Sequence, residues 1–166
     1  LDFSVNDPIF TADIANELSI GRVTTAAGQT TASANGSMTL GSNSTVNLGT
    51  EASPAILNIA WSQVLPGFAR NASVEGVRDT TEGSFTAELS VLTIGQTANR
   101  GTADGTFIMG NRASVNANGV NVGMGAGAVG TFVVLADVLS FTGDDTFLNF
   151  GTGILEIPGG QLTIGS

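Results

Sequence analysis

Residues 92–123 read LTIGQTANRGTADGTFIMGNRASVNANGVNVG, and three copies of one phrase sit inside them. The phrase is apolar, any residue, apolar, glycine: Leu92-Thr93-Ile94-Gly95, Phe107-Ile108-Met109-Gly110 and Val120-Asn121-Val122-Gly123. In a strand, alternate side chains point to opposite faces, so the two apolar residues face one way and the middle residue the other. Glycine then accepts a backbone conformation that other residues resist. Each phrase therefore predicts a short strand with an apolar inner face, closed by a corner.

The same phrase recurs outside this stretch. It appears as Leu18-Ser19-Ile20-Gly21, Met38-Thr39-Leu40-Gly41, Val46-Asn47-Leu48-Gly49, Leu148-Asn149-Phe150-Gly151 and Leu162-Thr163-Ile164-Gly165. Copies without the glycine are Leu1-Asp2-Phe3-Ser4, Leu57-Asn58-Ile59-Ala60, Leu139-Ser140-Phe141-Thr142 and Leu155-Glu156-Ile157-Pro158. Residues 18–49 repeat the order of 92–123, with polar stretches of different length between the phrases, as expected of loops outside a stacked core. The copies are shorter than the strands of a sandwich, which recur every ~8–12 residues, and they are spaced irregularly, with one wide gap and with longer spacings beside the short ones. The longer spacings match a full circuit of a repeat stack. The expected fold is all-β: a single right-handed parallel β-solenoid (β-helix) over 1–166, with irregular coils. Ile20, Leu40, Leu48, Ile94, Met109, Val122, Phe150 and Ile164 are expected inside, and Ser19, Thr39, Asn47, Thr93 and Asn149 outside.

Composition narrows the function. The 166 residues are 42% hydrophobic but only 11% charged, and 23 are glycine. The net charge is −9, and the five cations are all arginine. Phosphate contacts rest on dense Lys and Arg, so nucleic acid is not an expected partner. An anionic membrane surface is disfavoured for the same reason, and no apolar run approaches the length of a spanning helix. The absence of Cys and His removes thiol nucleophiles, thiolate zinc sites and imidazole bases. No cofactor, metal or enzymatic activity is expected. The chain opens on Leu1, as expected of a processed chain or of a piece of a longer one.

The segments GSMTLGSNSTVNLGT with ASPAILNIA, and LTIGQTANRGTADGTFIMG with VNVGMGAGAVGTF, resemble the autotransporter-associated β-strand repeats of bacterial secreted proteins. The resemblance covers roughly residues 18–60 and 92–166. It implies a right-handed parallel β-helix exported to the cell surface, with an architectural motif and no catalytic residues.

The rhythm breaks between residues 60 and 88, where an interrupting loop or cap is expected. This segment holds the only Trp, Trp61, together with Phe68, Arg70 and Arg78. Trp and Arg are favoured anchors of protein contacts, so these four residues are candidates for binding a surface glycan or protein. The alternative is that Trp61 and Phe68 simply cover an end or groove. Glu75, Asp79, Glu82 and Glu88 lie in or beside the same segment; paired carboxylates could cleave glycosides if they met in one cleft. Asp144 and Asp145 follow a glycine in a single turn, too few oxygens for a calcium site.

Both termini carry the phrase, and neither ends in a capping helix. An open strand edge invites pairing with another chain. Leu1, Phe3, Val5, Ile157, Leu162 and Ile164 are therefore the expected assembly residues of a homopolymer that grows head to tail. The expected role is an extracellular structural subunit of a cell-surface filament, sheath or stalk. The alternative is an adhesin-type module acting through the 60–88 segment.

Overall fold

The computed structural model describes residues 1–24, 31–64, 71–98, 101–135, 138–141, 147–151, 153–156 and 161–164; of these, 71–74, 138–141, 147–150 and 161–164 are described by backbone alone. The described elements are all strands, and every pairing between strands is parallel.

The chain fills its sheets in rotation. β1 (Phe10–Ile14), β2 (Glu17–Thr24) and β3 (Thr31–Thr39) come first. β4 (Ser44–Leu48) then pairs with β1, β5 (Ala55–Gln63) with β2, and β6 (Asn71–Asp79) with β3. β7 (Ser84–Ala98) is long enough to serve both β4 and β5, and Ser90 is left out of the register within the β5 pairing, between Leu89 and Val91. β8 (Thr102–Met109) lies beside β6, β9 (Ala113–Ala117) and β10 (Gly119–Met124) beside β7, and β11 (Ala128–Val134) beside β8. β12 (Val138–Phe141) pairs with β15 (Gln161–Ile164), β13 (Phe147–Phe150) with β10, and β14 (Gly153–Glu156) with β11. The result is an eight-stranded sheet, a five-stranded sheet and a two-stranded sheet.

Register explains why the phrase repeats. Leu18-Ser19-Ile20, Leu57-Asn58-Ile59, Leu92-Thr93-Ile94, Val120-Asn121-Val122 and Leu148-Asn149-Phe150 lie side by side in β2, β5, β7, β10 and β13. The N-terminal copy joins the other sheet: Asp2 bridges Thr39 in parallel, and the Phe3 N–H donates to the Thr39 carbonyl at 2.9 Å. Ile20, Leu40, Leu48, Ile94, Met109 and Val122 are buried as expected. Phe107 stacks on Phe132 with ring centroids 5.2 Å apart, and Phe85 meets Phe107 edge-on. Full burial of one such side chain contributes about 1.5–3 kcal/mol.

Glycine has a second role besides the corner. Gly41, Gly49 and Gly110 follow β3, β4 and β8 as expected, but Gly21, Gly95 and Gly123 lie inside β2, β7 and β10. They share one place in the register with Ala60, and all four have positive φ, from 56° to 68°. Facing them in the five-stranded sheet is an in-register row of Gly36, Gly76, Gly105, Gly130 and Gly153. A Cβ on Gly36, Gly76, Gly105 or Gly130 would stand 2.5 Å from the backbone nitrogen of Gly21, Ala60, Gly95 or Gly123 respectively. Bare backbone thus meets bare backbone along a seam. The seam separates the large core from a small cluster of Val23, Ala60, Val64 and Ala103.

The interruption expected at 60–88 is largely strand. β5 runs to Gln63, β6 spans 71–79 in register with β3 and β8, and β7 starts at Ser84. β6 hides its identity because its inward residues are Gly76 and Arg78 rather than two apolar side chains.

Candidate functional site

Alternation along β6 turns Arg78 inward, where it sits in register between Met38 and Phe107. It is 0% exposed, so it cannot anchor a surface partner as the sequence suggested. Its guanidinium carbon lies 4.6 Å from the Phe85 ring centroid, and none of its three nitrogens has a hydrogen-bond partner among the described residues. Burial pushes its pKa down to about 10, against the opposing charge of Asp79.

Trp61 does reach the surface. Pairing of β2 with β5 sets Arg22 beside it, and the Arg22 guanidinium carbon stands 4.3 Å from the indole centroid. Arg22 in turn bridges Glu17 at 2.6 Å. The Glu17 carboxylate also accepts from the Ser19 hydroxyl at 2.6 Å and the Asn58 amide at 3.0 Å. The Ser19 hydroxyl does most to hold the Glu17 pKa below its usual value; the Arg22 charge and the Asn58 amide add to it, and partial desolvation opposes them. The ion pair is over a third exposed on both sides, so it contributes at most about 1 kcal/mol. Its effect is to fix a guanidinium over the indole.

Beside this shelf runs a polar column, Ser19, Asn58, Thr93 and Asn121, continued in backbone register by Asn149. Ser19, like Thr39 and Asn47, is partly exposed. Thr93 was expected outside but is 2% exposed, flanked in the register by the longer Asn58 and Asn121. The face offers amides, hydroxyls and one aromatic ring, which suits binding through hydrogen bonds and stacking. Aligning Leu18-Ser19-Ile20-Gly21-Arg22 with Leu57-Asn58-Ile59-Ala60-Trp61 places Arg22 against Trp61, a signal present in the sequence.

The remaining expected residues are scattered. Phe68 and Arg70 lie outside the described residues, as do Asp144, Asp145 and Ile157. Glu75 and Asp79 belong to the five-stranded sheet, Glu88 to the eight-stranded one, and Glu82 to the turn between them. Glu88 accepts from the Asn116 amide and Asp79 from the Thr81 hydroxyl, so two of the four acids are already engaged by neighbours on separate elements. Among the described residues, no three of His, Cys, Asp or Glu gather as a metal site would need. Leu1 and Val5 are exposed, and Phe3 is stacked on Phe10 at 4.0 Å and partly buried. Leu162 and Ile164 lie in β15, opposite Leu139 and Phe141. No family model, curated protein or solved structure matches the chain.

Proposed function

We propose that the chain is a right-handed parallel β-solenoid with three strands to a circuit, and that it serves as a structural module of a bacterial cell-surface filament, sheath or stalk. The pairing distances support the circuit: Asn47 meets Asp13 at a separation of 34 residues, and Asn116 meets Glu88 at 28. Resemblance to the autotransporter-associated repeats supports export to the surface. The low charge leaves little repulsion between neighbouring modules.

One observation carries the assembly. β1, β2 and β3 have strand partners on one side only among the described residues, apart from the Leu1–Phe3 contact at the end of β3. An open parallel edge takes up another strand by backbone hydrogen bonds. Contact between such an edge and the far end of a second copy is heterologous and grows into a filament unless the rotation closes. Leu1, Phe3 and Val5 would contribute at one end, and Ile157, Leu162 and Ile164 at the other. Light scattering against concentration, with negative-stain imaging, tests this. Polymers are expected for the unaltered chain, and shorter ones or monomers for Thr163→Pro. A chain that stays monomeric at high concentration would overturn the assembly.

The Trp61 shelf favours a second reading, a non-enzymatic adhesin module. It predicts that a surface glycan or protein binds the β2–β5 face and that Trp61→Ala abolishes this binding.

A further inference from the structure

The corner between the first and second strands of each circuit is short in most rows. Ala15 and Asn16 make it between β1 and β2, β7 runs through it unbroken, and Asn118 alone makes it between β9 and β10. Between β4 and β5 it instead takes residues 49–54. This longer turn is held by its own bonds: the Thr50 N–H donates to the Ser53 carbonyl at 3.1 Å, and the Ser53 N–H returns to the Thr50 carbonyl at 3.0 Å. The turn walls a cleft of about 310 Å³ with Asp13, Ile14 and Ala15 opposite. That volume is at the low end of small-ligand sites, which start near ~300 Å³.

The lining alternates by chemistry. Ile14 and Ala15 give an apolar patch. The Asn47 amide donates to Asp13 Oδ1 at 2.7 Å, so its carbonyl oxygen and the second Asp13 oxygen remain as acceptors. The Thr50 Oγ1 accepts from the Ser53 N–H at 3.1 Å, which leaves its hydroxyl hydrogen to donate. The Ser53 hydroxyl has no partner among the described residues. The cleft surface is thus largely apolar, with the Asp13 and Asn47 acceptors and the Thr50 and Ser53 hydroxyls among its lining residues. A sugar ring has the complementary pattern, with hydroxyls at its rim and C–H groups on its face. Charge selects further: the lining has one carboxylate and no cation, on a chain of net charge −9. Phosphate, sulfate and uronate groups are repelled.

We propose that this cleft binds a neutral sugar unit of an oligosaccharide, independently of the Trp61 face and of assembly. Saturation-transfer NMR and titration calorimetry on the full chain test it, with maltotriose, cellotriose and diacetylchitobiose as neutral probes and trigalacturonate as the anionic one. At least one neutral probe is expected to bind with millimolar affinity, and trigalacturonate is not. Asp13→Ala and Ser53→Ala should each weaken binding about tenfold or more, with the melting temperature close to that of the parent. Asp104→Ala and Trp61→Ala should leave it unchanged. Failure of all neutral probes, equal binding of the uronate, or full binding by Asp13→Ala would each overturn the site. Loss on Trp61→Ala alone would assign binding to the β2–β5 face instead. Light scattering on the same samples reports assembly separately.

Discussion

A methyl group placed on Gly105 would meet the backbone nitrogen of Gly95 at 2.5 Å. Real Cβ atoms do not come so close, and the atom it meets is backbone in the opposite sheet. Overpacking a core already costs about 1–3 kcal/mol where side chains can shift, and here none can. Gly105→Ala is therefore expected to destabilise by about 3 kcal/mol or more, read from urea denaturation. Ser33→Ala, at an exposed position of β3 in the same sheet, should change stability by less than about 0.5 kcal/mol.

Ala60 occupies the place that Gly21, Gly95 and Gly123 hold in other rows, with φ of 56°. Relief of left-handed strain would favour Ala60→Gly by about 1–2 kcal/mol. Greater freedom of the unfolded chain removes roughly 0.5–1 kcal/mol of this. The lost contact of a fully buried methyl with the small cluster removes about 0.8 kcal/mol more. The net change should lie within about 1 kcal/mol of zero. Gly95→Ala should be much worse, because its methyl would run into the Val129 carbonyl oxygen. Equal effects of the two changes would show that the seam is not tight.

Arg78 is a buried cation with no hydrogen bond among the described residues, a costly arrangement. Replacing buried charges by apolar residues of similar volume often stabilises by about 1–4 kcal/mol. Arg78→Met, between Met38 and Phe107, should raise the melting temperature. The pH dependence gives a second check. The folded pKa is lowered to about 10, so the unfolded chain holds its proton to higher pH and the penalty is complete below pH 10. The gap between parent and Arg78→Met should narrow as pH rises above 10. A variant less stable than its parent at neutral pH would refute this account.

The parallel rows were legible because each apolar-x-apolar phrase marks two inward positions, and five such phrases share one register. β6 was not legible, since its inward residues are a glycine and an arginine, which suit a strand only once Ile20, Ala60 and Phe85 are in place around them. The seam was half visible: the glycines stood out, but their sheet-to-sheet contact joins residues distant in sequence. The Asp13 cleft left no motif at all. Asp13, Asn47 and Ser53 are ordinary outward or turn residues, and only register and the longer 49–54 turn bring them together.

Trp61 is the only Trp, so its fluorescence reports the Glu17–Arg22–Trp61 shelf directly. The Glu17 pKa is lowered in the folded protein, first by the Ser19 hydroxyl. A lowered carboxylate pKa gives stability that is present above the unfolded pKa and is lost as pH falls through the folded one. The shelf should thus stay intact through the usual Glu range and open only below it. Protonated Glu17 no longer holds Arg22, and the guanidinium then leaves the indole. The expected result is a change in Trp61 emission at acid pH, reversible and well before far-UV dichroism reports unfolding. Glu17→Gln should show the acid-type emission at neutral pH and no such transition. Arg22→Met should also lose the transition, because no cation remains to move. An unaltered transition in Glu17→Gln would mean that another carboxylate governs the indole.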